Sequence, residues 1–319
     1  MVFRGAVFFS IAAFLFFSSM PMNLSAATWP EKPINMIVAW APGGGTDRVA
    51  RSLANILSEK LGVPVPVLNR PGANGGVGHT TLAQARPDGY TIGFITPQLV
   101  TGPIMGLTKL TYRELTPLAL VNNDPGAVTV KVDAPWNSLK DFVEYARKNP
   151  HKIRIGNSGP GGTWHMVAVS LERVSGAKFI HMPYSGAPPA ITDLMGGHIE
   201  AVTFSAAEVA PQVQDKFLKM LAVTSSERME NFPNVPTAIE QGYDLDLGTW
   251  RGLAVPNGTP VEVRSKLEKA VKESVNDPRF KDFMKHEAFG ILYLDSEKFV
   301  RFVNGQEEAY KVFFKDYKK

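Results

Sequence analysis

The chain contains no cysteine. Disulfides, thiolate metal sites, a cysteine nucleophile and a lipid-bearing cysteine are therefore all excluded. Six histidines are present, His79, His151, His165, His181, His198 and His286, yet none are spaced as H-x-x-x-H or H-E-x-x-H, and no dense carboxylate group accompanies them. A metal hydrolase is unsupported, and no cofactor or metal is expected. The nucleophile elbow G-x-S-x-G is missing too. Beyond the N-terminus there is no apolar run long enough to span a membrane, no low-complexity tract and no internal repeat. Basic residues are scattered apart from the terminal Lys318-Lys319, too little focused charge for nucleic acid.

What is present begins with the N-terminus. Arg4 is the only charged residue among the first thirty, and the apolar run Ala6 to Phe17 follows it. Small and polar residues then lead to Ala26 and Ala27. A positive start, a short apolar core and a small-residue exit predict a secretory signal peptide over 1–27, cut after Ala26 or Ala27. The competing reading is an uncleaved anchor, but the run falls short of the roughly 20 residues a membrane span needs. An exported chain without a lipid tether is expected in a Gram-negative periplasm. Without Arg4, 33 basic residues stand against 30 acidic ones, a mild positive bias that suits an anionic ligand. A mature length of about 290 residues suggests two domains.

The mature chain alternates short apolar strands with amphipathic helices. Strands are predicted at Ile34 to Ala39, Val65 to Leu68 and Thr91 to Ile95. A helix runs from Thr46-Asp47, as N-cap residues, to about Lys60, and another lies near Gly78 to Ala85. This β-α-β-α-β order implies a parallel sheet covered by helices. The second half repeats it, with strands at Ala127 to Val132, Ile153 to Gly156, Phe179 to Met182, Ala201 to Phe204 and Leu218 to Val223. Helices fall between them at Ser138 to Lys148, Thr163 to Val174 and Pro188 to Met195. Short helical pieces are predicted at Ser226 to Asn231 and Pro236 to Gln241, and three longer helices close the chain. The fold class is α/β with two lobes. Lobe 1 is expected from 28–124 and 224–319, discontinuous because the C-terminal helices return to it, and lobe 2 from 125–223. The boundary rests on the turn-forming cluster Asn122-Asn123-Asp124-Pro125-Gly126.

Two glycine-rich segments carry the chemistry. Ala41-Pro42-Gly43-Gly44-Gly45-Thr46-Asp47 joins a strand to a helix start, where free amides and the helix dipole favour an anion. It is neither a Walker loop nor a dinucleotide loop, and a tight structural turn is the alternative. Gly156-Asn157-Ser158-Gly159-Pro160-Gly161-Gly162-Thr163 repeats the arrangement, with His165 in the first helical turn. Both lie at the carboxyl ends of parallel strands, where open α/β sheets place ligands. Thr96-Pro97-Gln98 and Tyr184-Ser185-Gly186-Ala187-Pro188 end strands at the same edge. A Ser158, His165, Asp47 triad across the cleft is conceivable, but a moving hinge holds such a set poorly for catalysis.

The chain resembles the receptors of tripartite tricarboxylate transporters, also called the Bordetella uptake gene family. The markers are Trp29-Pro30-Glu31-Lys32-Pro33-Ile34, Pro42 to Asp47, Asn69-Arg70-Pro71-Gly72-Ala73, Pro87-Asp88-Gly89-Tyr90-Thr91, Pro183-Tyr184-Ser185-Gly186, Leu221 to Ser225 and Pro233-Asn234-Val235-Pro236-Thr237. The resemblance covers essentially the whole mature chain. It implies a two-lobed periplasmic binding protein fold (type II-like), each lobe a parallel-rich sheet flanked by helices. It also implies a receptor, not an enzyme and expected monomeric, that delivers a small organic carboxylate to membrane transporter subunits. A sensor protein as the partner, or a periplasmic hydrolase, are the alternatives. Carried over by position, ligand contacts come from Gly43, Gly44, Gly45, Thr46, Asp47, Thr96, Ser158, Gly161, Gly162, Thr163, His165 and Ser205. Arg251 departs from the pattern; it either grips a second ligand carboxylate or pairs with Asp244 or Asp246. Trp164 and Trp250 either floor the pocket or serve packing.

Overall fold

The structure, a computed structural model, describes residues 29–317. The expected signal peptide and the terminal lysine pair lie outside the described residues. The first lobe opens with β1 (Asn35–Val38), α1 (Gly45–Leu61), β2 (Val67–Asn69), α2 (Gly76–Ala83) and β3 (Thr91–Ile95). β1 lies between β2 and β3 and is parallel to both. In α1, Val49, Leu53, Ile56 and Leu57 form the buried stripe that their helical spacing predicts. A helix not foreseen, α3 (Gln98–Ile104), follows β3. Gly102 and Pro103 hide it in the sequence, while Pro97 at its start has the φ a helix entry needs.

The turn expected at 122–126 does not form. Those residues belong to β4 (Leu115–Lys131), a single long strand that leaves one sheet and enters the other. After α4 (Leu139–Lys148) come β5 (Arg154–Asn157), α5 (Thr163–Ser175), β6 (Ile180–Pro183), α6 (Ala187–Met195), β7 (Ala201–Val202), α7 (Ala206–Gln214) and β8 (Leu218–Thr224). The chain then returns through β9 (Gly248–Pro256), α8 (Val261–Asn276), α9 (Pro278–His286), β10 (Ile291–Asp295) and α10 (Ser296–Tyr317). The strand path is β2-β1-β3-β9-β4-β7-β5-β6, with β10 and β8 also paired to β4. From Leu115 to Pro125, β4 runs antiparallel to β9, and from Gly126 to Lys131 antiparallel to β8. Tertiary pairing on both sides overrides the local turn preference of Asn-Asn-Asp-Pro.

The return to the first lobe comes later than the expected residue 224. Phe232, Ala238 and Leu245 pack into the same core as Phe142, Ile155 and Val202, so 225–247 stay with the second sheet. One 3-10 turn, Ile239–Gln241, stands where two short helical pieces were expected. The first sheet buries one face under α1, α8 and α9, and the other under α3 and α10. Two residues of the second lobe join these cores: Ala207 of α7 sits in the α1 layer and Met166 of α5 in the α10 layer. The lobes are thus in contact, and the helix starts of α1, α5 and α7 meet between them. Among the described residues, no helix is long and apolar enough to cross a membrane.

Candidate functional site

α1 begins without a side-chain cap. Gly44 holds the N-cap position, and Thr46 and Asp47 fall inside the first turn rather than at the cap. A helix start leaves its first amides without intrahelical acceptors, so they must find other partners. Gly45 N–H donates to Glu208 Oε1 at 3.0 Å, across the lobe boundary. Asp47 turns back on its own loop, accepting from Gly43 N–H (2.8 Å), Arg51 Nε (3.0 Å) and Asn69 Nδ2 (2.8 Å). Burial pushes the Asp47 carboxyl up, but those hydrogen bonds outweigh it and hold it below the usual carboxylate value.

Glu208 belongs to α7. Ser205 caps that helix: its Oγ accepts from Glu208 N–H at 3.2 Å, while Glu208 Oε2 accepts from Ser205 N–H at 3.2 Å and Oγ–H at 3.0 Å. This reciprocal capping box engages Ser205 in its own helix, so the structure does not place it on the cavity. The Ser205-x-x-Glu208 spacing is visible in the sequence, and it is the signal by which Glu208 was findable.

α5 starts at Thr163 with Gly162 as N-cap, again without a side-chain cap. The Gly161 carbonyl accepts from Thr101 Oγ1 at 2.5 Å, and Thr163 Oγ1 lies 3.5 Å from Gln98 Nε2, both across the lobe boundary. Thr96 Oγ1 donates to Gln98 Oε1 at 2.6 Å and lies 3.5 Å from His79. Ser158 is buried, and its hydroxyl oxygen has no hydrogen-bond partner among the described residues. Buried hydroxyls ordinarily have one, and Ser158 lines the space between the lobes. His165 points elsewhere: its ring packs edge-on to His181 at 4.8 Å, and burial, then the His181 charge, push its pKa down to about 4. With His165 held against His181, Asp47 held by Arg51 and Asn69, and Ser158 unpaired, no catalytic triad is assembled. Among the described residues no group of three histidines or carboxylates is placed to hold a metal.

Between these helix starts lies a partly enclosed cavity with about 30 Å³ of free space. Of the residues inferred by position, Gly44, Thr46, Thr96 and Ser158 line it; Gly43, Gly45, Asp47, Gly161, Gly162, Thr163, His165 and Ser205 are not among its lining residues. Gln98 lies in the loop expected at this edge, whereas Trp40, Phe204, Glu208 and Thr249 were not foreseen. Trp164 forms part of the wall, whereas Trp250 is buried behind it against Phe299 and Phe302. Trp40 and Ser158 also border an outer cavity of about 300 Å³ lined by Gly72 to Gly75 and Pro183 to Ser185.

Arg251 reaches the inner cavity fully buried. Its Nε donates to Thr46 Oγ1 at 3.0 Å, and Nη1 binds Asn122 and Asp124. The expected partners Asp244 and Asp246 are exposed and unconnected to it. Sheet register explains the difference. β9 sets Arg251 opposite Asn122 on β4, and Asp124, two residues on, shares that face.

A cleft between two α/β lobes, with a small cavity of mixed polar and aromatic lining between helix starts, defines a two-lobed solute-binding protein. The profile of the tripartite tricarboxylate transporter family receptor matches residues 49–317. The chain belongs to this family of periplasmic binding proteins; it is a solute-binding receptor and not an enzyme. It is similar to periplasmic binding protein BugD (34% identity, 90% of this chain and 98% of that chain, TM-score 0.86). It is also similar to MatC from Rhodopseudomonas palustris with bound malate (25%, 89% and 99%, TM-score 0.83). A third match is an R. palustris protein with adipate (25%, 90% and 97%, TM-score 0.85).

Proposed function

We propose that this receptor binds a small organic carboxylate between its lobes and passes it to the membrane subunits of a tripartite tricarboxylate-type transporter. It works in the periplasm, reached through a cleaved signal peptide over 1–27 and without a lipid anchor. The orphaned Ser158 hydroxyl, buried on the cavity wall beside the uncapped α5 start, is the observation that carries this reading. A carboxylate oxygen there would accept from Ser158 and from the first amides of α5, with the dipole assisting. The malate and adipate held by relatives support the ligand class. Lobe 1 reaches to about Asp124 and resumes at β9, so β4 and β9 act as the hinge. Ligand favours the closed arrangement through contacts to both helix starts. The test is thermal unfolding against mono-, di- and tricarboxylates. A true ligand at about 100 times its Kd should add about 2.7 kcal/mol of stability. A panel without any shift would overturn the carboxylate reading.

A further inference from the structure

We infer that Glu208 determines specificity by filling, with the protein's own carboxylate, the anion seat at the start of α1. The ligand then carries one carboxylate, directed to α5, and a hydrogen-bond donor directed to Glu208; dicarboxylates are disfavoured. This rests on the carboxylate reading above and narrows it.

Glu208 Oε1 accepts the N–H of Gly45, the first residue of α1, at 3.0 Å. A Cβ added at Gly45 would stand 3.1 Å from that oxygen and 2.5 Å from Arg251 Nη2, so carboxylate and guanidinium lie directly over the bare helix end. The capping box fixes the carboxylate there, because its other oxygen is held by Ser205 N–H and Oγ–H. Glu208 still forms part of the cavity wall. Neighbouring positive charge is already engaged. Arg251 is matched by the buried Asp124, and Arg48 pairs with Glu287 while donating to the Ala207 carbonyl at 3.4 Å. The α1 end of the cavity therefore presents a carboxylate acceptor, Glu208, that shares its cationic neighbours with Asp124 and Glu287. The α5 end differs. The unpartnered Ser158 hydroxyl is there, and no carboxylate lines that side. A ligand with one carboxylate and one ammonium or hydroxyl group matches both ends. A second carboxylate would meet Glu208 at close range in a small, partly enclosed space, and juxtaposed like charges strongly suppress binding.

The experiment is calorimetric titration of the mature chain with matched pairs: 4-aminobutyrate and succinate, 5-aminovalerate and glutarate, 6-aminohexanoate and adipate. In whichever pair binds, the amino acid should be at least about tenfold tighter than the diacid. Glu208→Gln should shrink that ratio at least about tenfold. Glutamine can keep the capping box through its one oxygen but then turns its NH2 toward the Gly45 N–H, so the variant should stay folded with a modestly lowered melting temperature. Diacids binding the native chain as tightly as their amino partners would overturn the inference, whatever the variant does. So would an unchanged ratio in a folded Glu208→Gln. If no member of either series binds, this inference falls, an outcome distinct from tight diacid binding, and the carboxylate reading is decided separately by the thermal-unfolding panel.

Discussion

The starts of α1 and α5 invite comparison because their sequences are so alike and their surroundings so different. Each is a strand-to-helix turn rich in glycine, capped by glycine and ending in threonine. At α1 the chain answers its own helix end. Glu208 takes the Gly45 amide, Arg251 takes the Thr46 hydroxyl, and Asp47 is tied to Arg51 and Asn69. At α5 the loop is steadied from behind, by Thr101 on the Gly161 carbonyl, while Ser158 is left with a free hydroxyl. Equivalent backbone thus yields one end whose first amide is taken by the protein's own carboxylate and one whose neighbouring hydroxyl has no partner among the described residues. Local sequence builds a helix start with free amides; the neighbours decide whether those amides stay open.

The contrast can be broken most forcefully at α1. Arg251→Met leaves Asp124 buried without its cation, and removal of one partner of such a pair costs about 3–5 kcal/mol. Chemical denaturation should register that loss, and an unchanged midpoint would mean Arg251 is not the ion that neutralises Asp124. A smaller effect belongs to α5. A Cβ at Gly162 would lie 2.1 Å from Ser158 Oγ and 2.7 Å from its Cβ. Gly162→Ala should therefore cost about 1–3 kcal/mol through overpacking and weaken ligand binding by displacing the hydroxyl. Full affinity in this variant would remove Ser158 from the site. The smallest difference is in pH response. His165 has a folded pKa near 4, below the ordinary value of 6.5. Its neutral form is favoured by folding, so its contribution is complete above pH 6.5 and is lost as pH falls toward 4. Between pH 7 and pH 5.5 the native chain should lose about 1 kcal/mol on this account. His165→Asn should flatten that part of the stability profile. Asp47, already ionised throughout the window, leaves the α1 end insensitive there.

Much of this architecture could be read along the chain. The apolar stripe of α1, the alternation of strands and helices and both glycine turns are local patterns set by residues within a few positions of one another. The long strand β4 was hidden because Asn122 to Gly126 favour a turn, and only pairing with β9 and β8 makes them extended. α3 was hidden by Gly102 and Pro103. Position along the chain did not give the direction in which each side chain points. Thr46, Thr96 and Ser158 face the cavity; Thr163 and His165, on the same helix start as Trp164, do not line it.

By itself the sequence determined that two helices would begin in bare glycine loops at the carboxyl edge of parallel strands. Those outcomes depend on backbone freedom and on contacts three or four residues apart. Only the tertiary structure decided that Glu208 would span from its own cap to Gly45, 163 positions away, and that Arg251 would find Asp124 instead of Asp244 or Asp246. Such pairings are set by the register of β9 on β4 and by the approach of the two lobes. No local pattern carries that information.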